Sequence, residues 1–281
     1  MKTQAVTVPA ITARKNSGKK ITALTAYDYS FAKLLDTTLI DILLVGDSLG
    51  MICQGHENTL SVTLEDVIYH TRSVRRGAHR ALIVADMPFM SYQVSVEQAV
   101  TNAGRLVQEG RAAAIKLEGG ARVANQVDAI VQAGIPVMGH VGLTPQSIHQ
   151  FGGYKVQGKT FFDSKQIRQD AKDLQKAGAF SLVLEGIPQE LATEITHDLK
   201  IPTIGIGAGS KCDGQILVIH DLLGLNPEFT PKFVKRYADL SDVIQNVVTE
   251  FIDEVHREVF PGPEHTYNLK KGALKKVNHD R

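Results

Sequence analysis

A two-part unit recurs about eight times along this chain. Each unit opens with a short apolar run that ends in glycine or a polar residue, then continues as an amphipathic stretch with helical spacing. The apolar runs cover 21–28, 41–48, 81–86, 112–119, 135–140, 180–186, 201–209 and 215–221. Each is too short for a globular helix, and most are rich in Val, Ile and Leu. Near-continuous apolarity is what parallel strands show when helices cover both faces of their sheet. Between the runs, helices are expected over 63–77, 95–110, 120–134, 163–178 and 188–200. Thr63 and Ser95 stand where N-caps belong, and glycines just before the next strand suit left-handed C-caps. The pattern over 231–260 supplies the last helices.

Strand and helix alternating in this way give either a closed barrel or an open doubly wound sheet. The count of eight favours the barrel, as does the lack of a GxGxxG turn after the first strand. A length of 281 residues suits one (βα)8 TIM barrel, and no composition break divides it. The expectation is therefore a single catalytic domain over 1–281 with a basic tail at about 268–281, where Lys270, Lys271, Lys275, Lys276 and Arg281 gather. A formal net charge of +1 gives no global field to attract nucleic acid or an anionic membrane. Cys53 and Cys212 form neither a metal motif nor a disulfide framework, the first 20 residues lack a signal peptide's apolar core, and no run reaches membrane-spanning length. A soluble, cytoplasmic protein is expected.

In such barrels chemistry collects where strands end. Here strand 2 ends at Asp47, strand 3 at Asp86, strand 4 at Glu118, strand 5 at His140 and strand 6 at Glu185. Alternation along strand 4 puts Lys116 and Glu118 on one face with Ala114, and a charged pair does not belong against the apolar helix layer. The same parity groups Asp47 with Val45, Asp86 with Val84 and Glu185 with Val183. Four carboxylates and a lysine should converge on one cavity.

Adjacent carboxylates repel unless a cation balances them. With no Cys or His pair competing, ligation by Asp47, Asp86 and Glu118 points to a hard ion, Mg²⁺. A 2-oxo acid fits the open positions of such an ion through a carboxylate oxygen and its keto oxygen, and the ion then stabilises an enolate. Taken singly, each carboxylate could equally cap a helix or pair with a cation. Lys116 is open between a substrate-binding ammonium and a Schiff-base nucleophile, His140 between a wall residue and a substrate contact, and Ser48 between a carboxylate anchor and a cap. GIGAG at 205–209 suits a phosphate-binding turn or close strand packing. GGYKVQGK at 152–159 reads as a mobile loop able to order over substrate. Cys53, His56 and His149 fall in no interpretable pattern.

Several segments are similar to the ketopantoate hydroxymethyltransferase (3-methyl-2-oxobutanoate hydroxymethyltransferase) family, in that family's order along nearly the whole chain. The more specific are VGDSLGM (45–51), KLEGG (116–120) and GHVGLTPQS (139–147); ADMPFMSY (85–92), VLEGIP (183–188) and FPGPEHTY (260–267) add to them. The resemblance implies that Asp47, Asp86 and Glu118 hold one Mg²⁺ per subunit and that Asp47 and Asp86 also bind the 2-oxo acid. It implies that Ser48 and Lys116 hold the substrate's carboxylate and keto end, that His140 lines the site and that Glu185 accepts the proton. The implied reaction moves a one-carbon unit from 5,10-methylenetetrahydrofolate to 3-methyl-2-oxobutanoate, giving 2-dehydropantoate and tetrahydrofolate, in a homodecamer. Two rivals remain at this point. One is a metal-dependent lyase or mutase of the phosphoenolpyruvate mutase/isocitrate lyase type, disfavoured because neither cysteine lies in a catalytic motif. The other is a non-catalytic scaffold, disfavoured by the inward charges.

Overall fold

A computed structural model describes residues 4–226 and 231–269. The elements follow in chain order. They are α1 (Val8–Thr12), β1 (Ile21–Thr25), α2 (Tyr29–Asp36), β2 (Ile42–Val45), α3 (Leu49–Ile52), α4 (Leu64–Gly77), β3 (Leu82–Asp86), α5 (Val96–Gln108), β4 (Ala114–Glu118) and α6 (Ala124–Gln132). Then come β5 (Val137–Gly142), α7 (Ile148–Phe151), α8 (Phe161–Lys176), β6 (Ser181–Glu185), α9 (Gln189–Asp198), β7 (Thr203–Ile206), β8 (Gly214–Leu217), α10 (Ile219–Leu222) and α11 (Leu240–His256). The eight strands pair in sequence order, all parallel, and β8 closes on β1. The expected TIM barrel is the observed one.

Strand alternation divides the apolar residues into two cores. Outward residues such as Val45, Ile83, Ile115, Leu117 and Leu182 pack under the helices. Inward residues, among them Ile42, Leu44, Leu82, Val84, Ala114, Met138 and Ile204, fill the barrel. Ile11 of α1 belongs to this inner set and is fully buried, so the segment before the first strand plugs the barrel's lower end. Nothing in the spacing of the N-terminal residues announced that plug.

Caps form much as expected. Thr63 and Asp66 exchange hydrogen bonds in a capping box, and Ser95 Oγ accepts from the Gln98 N–H. Gly134 and Gly178 take the left-handed conformation after their helices, with φ of 85° and 95°. After α5, however, the left-handed residue is Arg111 rather than Gly110. Gly110 is needed instead for space, since a Cβ there would lie 2.6 Å from the Leu106 carbonyl oxygen.

The C-terminal segment departs from expectation. Of the residues between 231 and 260 only α11 is helical, and it has no buried residue. Of the expected basic tail, 270–281 lie outside the described residues. Among the described residues no helix is long and apolar enough to cross a membrane.

Candidate active site

Register brings the ionisable strand ends together. Asp86 is the pairing partner of Lys116, Glu118 of His140, and Gly142 of Glu185. Asp86, Lys116 and Glu118 continue the inward faces of Val84 and Ala114, and Glu185 continues that of Val183. For these four residues the parity argument describes the barrel correctly.

For Asp47 it does not. Val45 packs outward under the helices, and the chain leaves β2 directly after it. Asp47 enters the cluster through the following turn, where strand alternation no longer applies. Gly46 makes that turn possible, because a Cβ there would meet Ser48 Oγ at 2.9 Å and Asp86 Oδ2 at 3.3 Å. The Asp47 N–H then donates to Asp86 Oδ2 at 3.0 Å.

At the centre stands Lys116, whose Nζ donates to Asp86 Oδ1 at 2.6 Å and lies 3.9 Å from Glu118 Oε1. Burial disfavours its charge, yet Asp86, Glu118 and Asp47 outweigh burial and hold the ammonium protonated, above its ordinary value. One lysine does not balance three buried carboxylates. Asp47 is pushed well above the usual carboxylate range by burial, then by Asp86 and Glu118. Asp86 is raised by burial despite Lys116. Burial acts the same way on Glu118, but His140, Lys116 and the Gln146 N–H together bring it below its ordinary value.

His140 lies between two carboxylates, with Nδ1 3.3 Å from Glu118 Oε1 and Nε2 3.3 Å from Glu185 Oε2. Neither approach has good hydrogen-bond alignment, so the contacts are chiefly electrostatic. Burial and Lys116 oppose an imidazolium, but the two carboxylates prevail and raise the ring to about 9. Glu185 is the most accessible of these groups, its side chain 16% exposed against 2% for Glu118. Ser48 Oγ is 2.8 Å from the Tyr27 hydroxyl, and either can donate. Ser48 caps no helix with its side chain, which removes one of its two readings.

Three residues of this site were not singled out from the sequence. Tyr27 anchors Ser48. Gln146 donates from Nε2 to Asp47 Oδ2 at 2.9 Å, and its backbone N–H donates to Glu118 Oε2 at 3.0 Å. Tyr92, fully buried, sets its hydroxyl 2.7 Å from Gln146 Oε1. Uncharged polar residues in loops are too common to be singled out by type; GHVGLTPQS did include Gln146 and ADMPFMSY Tyr92, but as family markers only.

Two loops frame the pocket. The 152–159 loop is irregular, and Tyr154 within it feels the charges of Asp47, Glu185 and Glu118. In 205–209, Gly207 and Gly209 take positive φ and pack against Phe233 and Gln189, which suits close packing. A cavity of about 510 Å³ borders the cluster on the Glu118 side, lined among others by Phe89, Tyr92, Arg122, Gln126 and Gln146. Among the described residues no three His, Cys, Asp or Glu side chains already stand as a coordination shell. Lys116 and Gln146 hold the carboxylates in the present arrangement.

Comparison with known proteins places this chain in a family. Residues 5–263 match the family model described as ketopantoate hydroxymethyltransferase. The 3-methyl-2-oxobutanoate hydroxymethyltransferase of Enterococcus faecalis is 57% identical over 263 residues, covering 94% of this chain and 96% of that one. The enzyme of the same name from Thermoanaerobacter sp. is 58% identical over 257 residues, covering 92% and 94%. Among solved structures, a 2,3-dimethylmalate lyase of the PEP mutase/isocitrate lyase superfamily aligns with a TM-score of 0.60 over 94% of this chain and 89% of its own. At 16% identity that likeness concerns the barrel alone. The chain is thus a transferase that moves a hydroxymethyl group, and it belongs to the ketopantoate hydroxymethyltransferase family.

Proposed function

We propose that this chain transfers a one-carbon unit from 5,10-methylenetetrahydrofolate to 3-methyl-2-oxobutanoate, with one water consumed, giving 2-dehydropantoate and tetrahydrofolate in pantothenate biosynthesis, through an enolate of the 2-oxo acid. Family membership supports the overall reaction. One observation carries the mechanism: three buried carboxylates at the mouth of the barrel share one lysine and a histidine that also faces Glu185.

That surplus negative charge is what a divalent cation would neutralise, and the donors are oxygens suited to Mg²⁺. Asp47, Asp86 and Glu118 are the residues that would hold one such ion per subunit. When bound, it supplies Lewis-acid stabilisation of charge developing on the substrate's keto oxygen. Lys116, held protonated, adds a fixed positive charge beside that oxygen and fits an electrostatic role better than a Schiff-base nucleophile, which must be neutral to attack. Ser48, steadied by Tyr27, is placed to donate to the substrate carboxylate. Glu185 takes the proton from C3, and His140 at 3.3 Å keeps its carboxylate turned toward the pocket. The cavity beside Glu118 offers room for the second reactant, and its volume lies within the usual range for ligand sites.

The proposal extends to assembly and place. Along α11, Val243, Ile244, Val247, Val248, Phe251, Ile252 and Val255 are all exposed. So broad an apolar face on one helix supports burial against other copies, in keeping with a homodecamer. Two free cysteines suit the cytoplasm. Light scattering should give a ten-chain mass, and a monomeric mass at micromolar concentration would refute the assembly.

Deuterium exchange at C3 of 3-methyl-2-oxobutanoate in D₂O, without folate, tests the chemistry. Exchange should require Mg²⁺, stop on chelation and fall about 10²-fold or more in Glu185→Gln. Exchange unaffected by that substitution removes Glu185 from the role of base.

A further inference from the structure

Gln146 sits on the 3-10 turn Pro145–Ser147 that follows β5, yet it is buried, and both polar atoms of its side chain and its backbone N–H are engaged. Its Nε2 donates to Asp47 Oδ2 at 2.9 Å and to the Met87 carbonyl at 3.0 Å. Its Oε1 accepts from Gln93 Nε2 at 3.2 Å and lies 2.7 Å from the Tyr92 hydroxyl. Its backbone N–H reaches Glu118 Oε2 at 3.0 Å. One residue of β5's loop therefore grips a carboxylate from the β2 turn and another from the end of β4.

The surroundings fix which way the amide points. Turned over, Oε1 would face the Asp47 carboxylate and the Met87 carbonyl, two acceptors with no hydrogen between them. The amino group would then face the donor of Gln93. Only the orientation described satisfies all four neighbours. Tyr92 reinforces it from a fixed place, since its hydroxyl also accepts from the Glu118 N–H at 3.2 Å.

We propose that Gln146 is a positioning residue that aims Asp47 at the cation and, through its backbone, holds Glu118 opposite. The inference rests on the metal reading given above. An anionic ligand held by an outer hydrogen bond keeps one oxygen free for the metal and loses less freedom on binding it. Asp47 particularly needs this, because it stands on a turn and not on a rigid strand. Asp86, at the end of β3, needs no such hold from Gln146, and Glu118 receives only the backbone bond.

Mn²⁺ binding to the intact protein, followed by calorimetry and by the loss of free-ion EPR signal, tests the proposal. Gln146→Met keeps the side chain's length and bulk, removes its donors, and leaves the backbone bond to Glu118. Tyr92→Phe keeps Gln146 but removes the hydroxyl that orients it. We expect Gln146→Met to weaken Mn²⁺ binding about 10- to 100-fold, and Tyr92→Phe to weaken it less. The KM for 3-methyl-2-oxobutanoate should rise at fixed low Mn²⁺ and recover as Mn²⁺ is raised, which a general packing defect would not allow. If Gln146→Met binds Mn²⁺ as tightly as the wild type, or more tightly, the positioning role is overturned while the metal reading stands. If the wild type itself binds no Mn²⁺, both fall.

Discussion

The two ends of this barrel each carry buried or partly buried aspartates, but they treat them differently. At the lower end Asp41 accepts from Arg14 at 2.9 Å, from the Thr22 N–H at 3.0 Å and from its hydroxyl at 3.1 Å. Asp213 is held alike, by Lys15 at 2.8 Å, the Thr203 N–H at 2.9 Å and its hydroxyl at 3.2 Å. Each carboxylate has its own cation and a backbone donor on the preceding strand. At the upper end Asp47, Asp86 and Glu118 divide one lysine and a histidine among them. The lower end closes its charges and fastens the plug that carries Ile11. The upper end leaves a deficit, which costs stability and creates a site.

The greatest effect should come from worsening that deficit. Lys116→Met removes the central cation from among three buried carboxylates. We expect a loss of about 3–5 kcal/mol in urea unfolding, together with loss of transferase activity. Added Mg²⁺ should restore part of the stability, because it supplies the missing charge. A variant within about 1 kcal/mol of wild type would mean that the carboxylates do not depend on Lys116.

Removing a carboxylate should then have opposite signs at the two ends. Asp213→Ala leaves a buried Lys15 ammonium and the Thr203 N–H without their acceptor, at a cost of about 2–4 kcal/mol, with turnover unchanged in the folded fraction. Asp47→Asn relieves repulsion while its remaining oxygen still accepts from Gln146. The metal-free protein should gain on the order of 1 kcal/mol and lose most of its Mg²⁺ affinity. Were Asp47→Asn as destabilising as Asp213→Ala, the distinction between the two ends would disappear.

How much of this contrast was legible depends on backbone regularity. Asp86, Lys116, Glu118 and Glu185 lie on strands, where alternation dictates the side-chain face, and the barrel positions them as parity requires. Asp47 was placed by strand parity, but its direction is set by a turn closed by Gly46. Gln146 and Tyr92 act through hydrogen bonds across 99 and 54 positions of sequence, which no local spacing encodes. At the lower end, no local pattern ties Arg14 and Lys15, just after α1, to Asp41 and Asp213. A long-range ion pair leaves no periodic trace, whereas a helix cap such as Thr63 with Asp66 does.

A modest effect belongs to a third aspartate of the lower end, one held by backbone N–H groups. Asp36, at the end of α2, accepts from the backbone N–H groups of His79 at 2.8 Å, Arg80 at 3.0 Å and Ala81 at 2.8 Å, just ahead of β3. Burial alone would raise its carboxyl, but the three donors prevail and lower it. A folded-state value below the unfolded one means the stabilisation is complete above the unfolded carboxylate range, near pH 4, and disappears as pH falls through the folded value. Asp36→Asn turns one acceptor oxygen into a donor facing an N–H. It should cost about 1–2 kcal/mol at pH 7, with activity intact. Urea midpoints at pH 7, 5 and 3 should show the gap between variant and wild type narrowing only at the lowest value. A gap constant across that range would show that hydrogen-bond geometry, and not the carboxylate's charge, secures this part of the lower end.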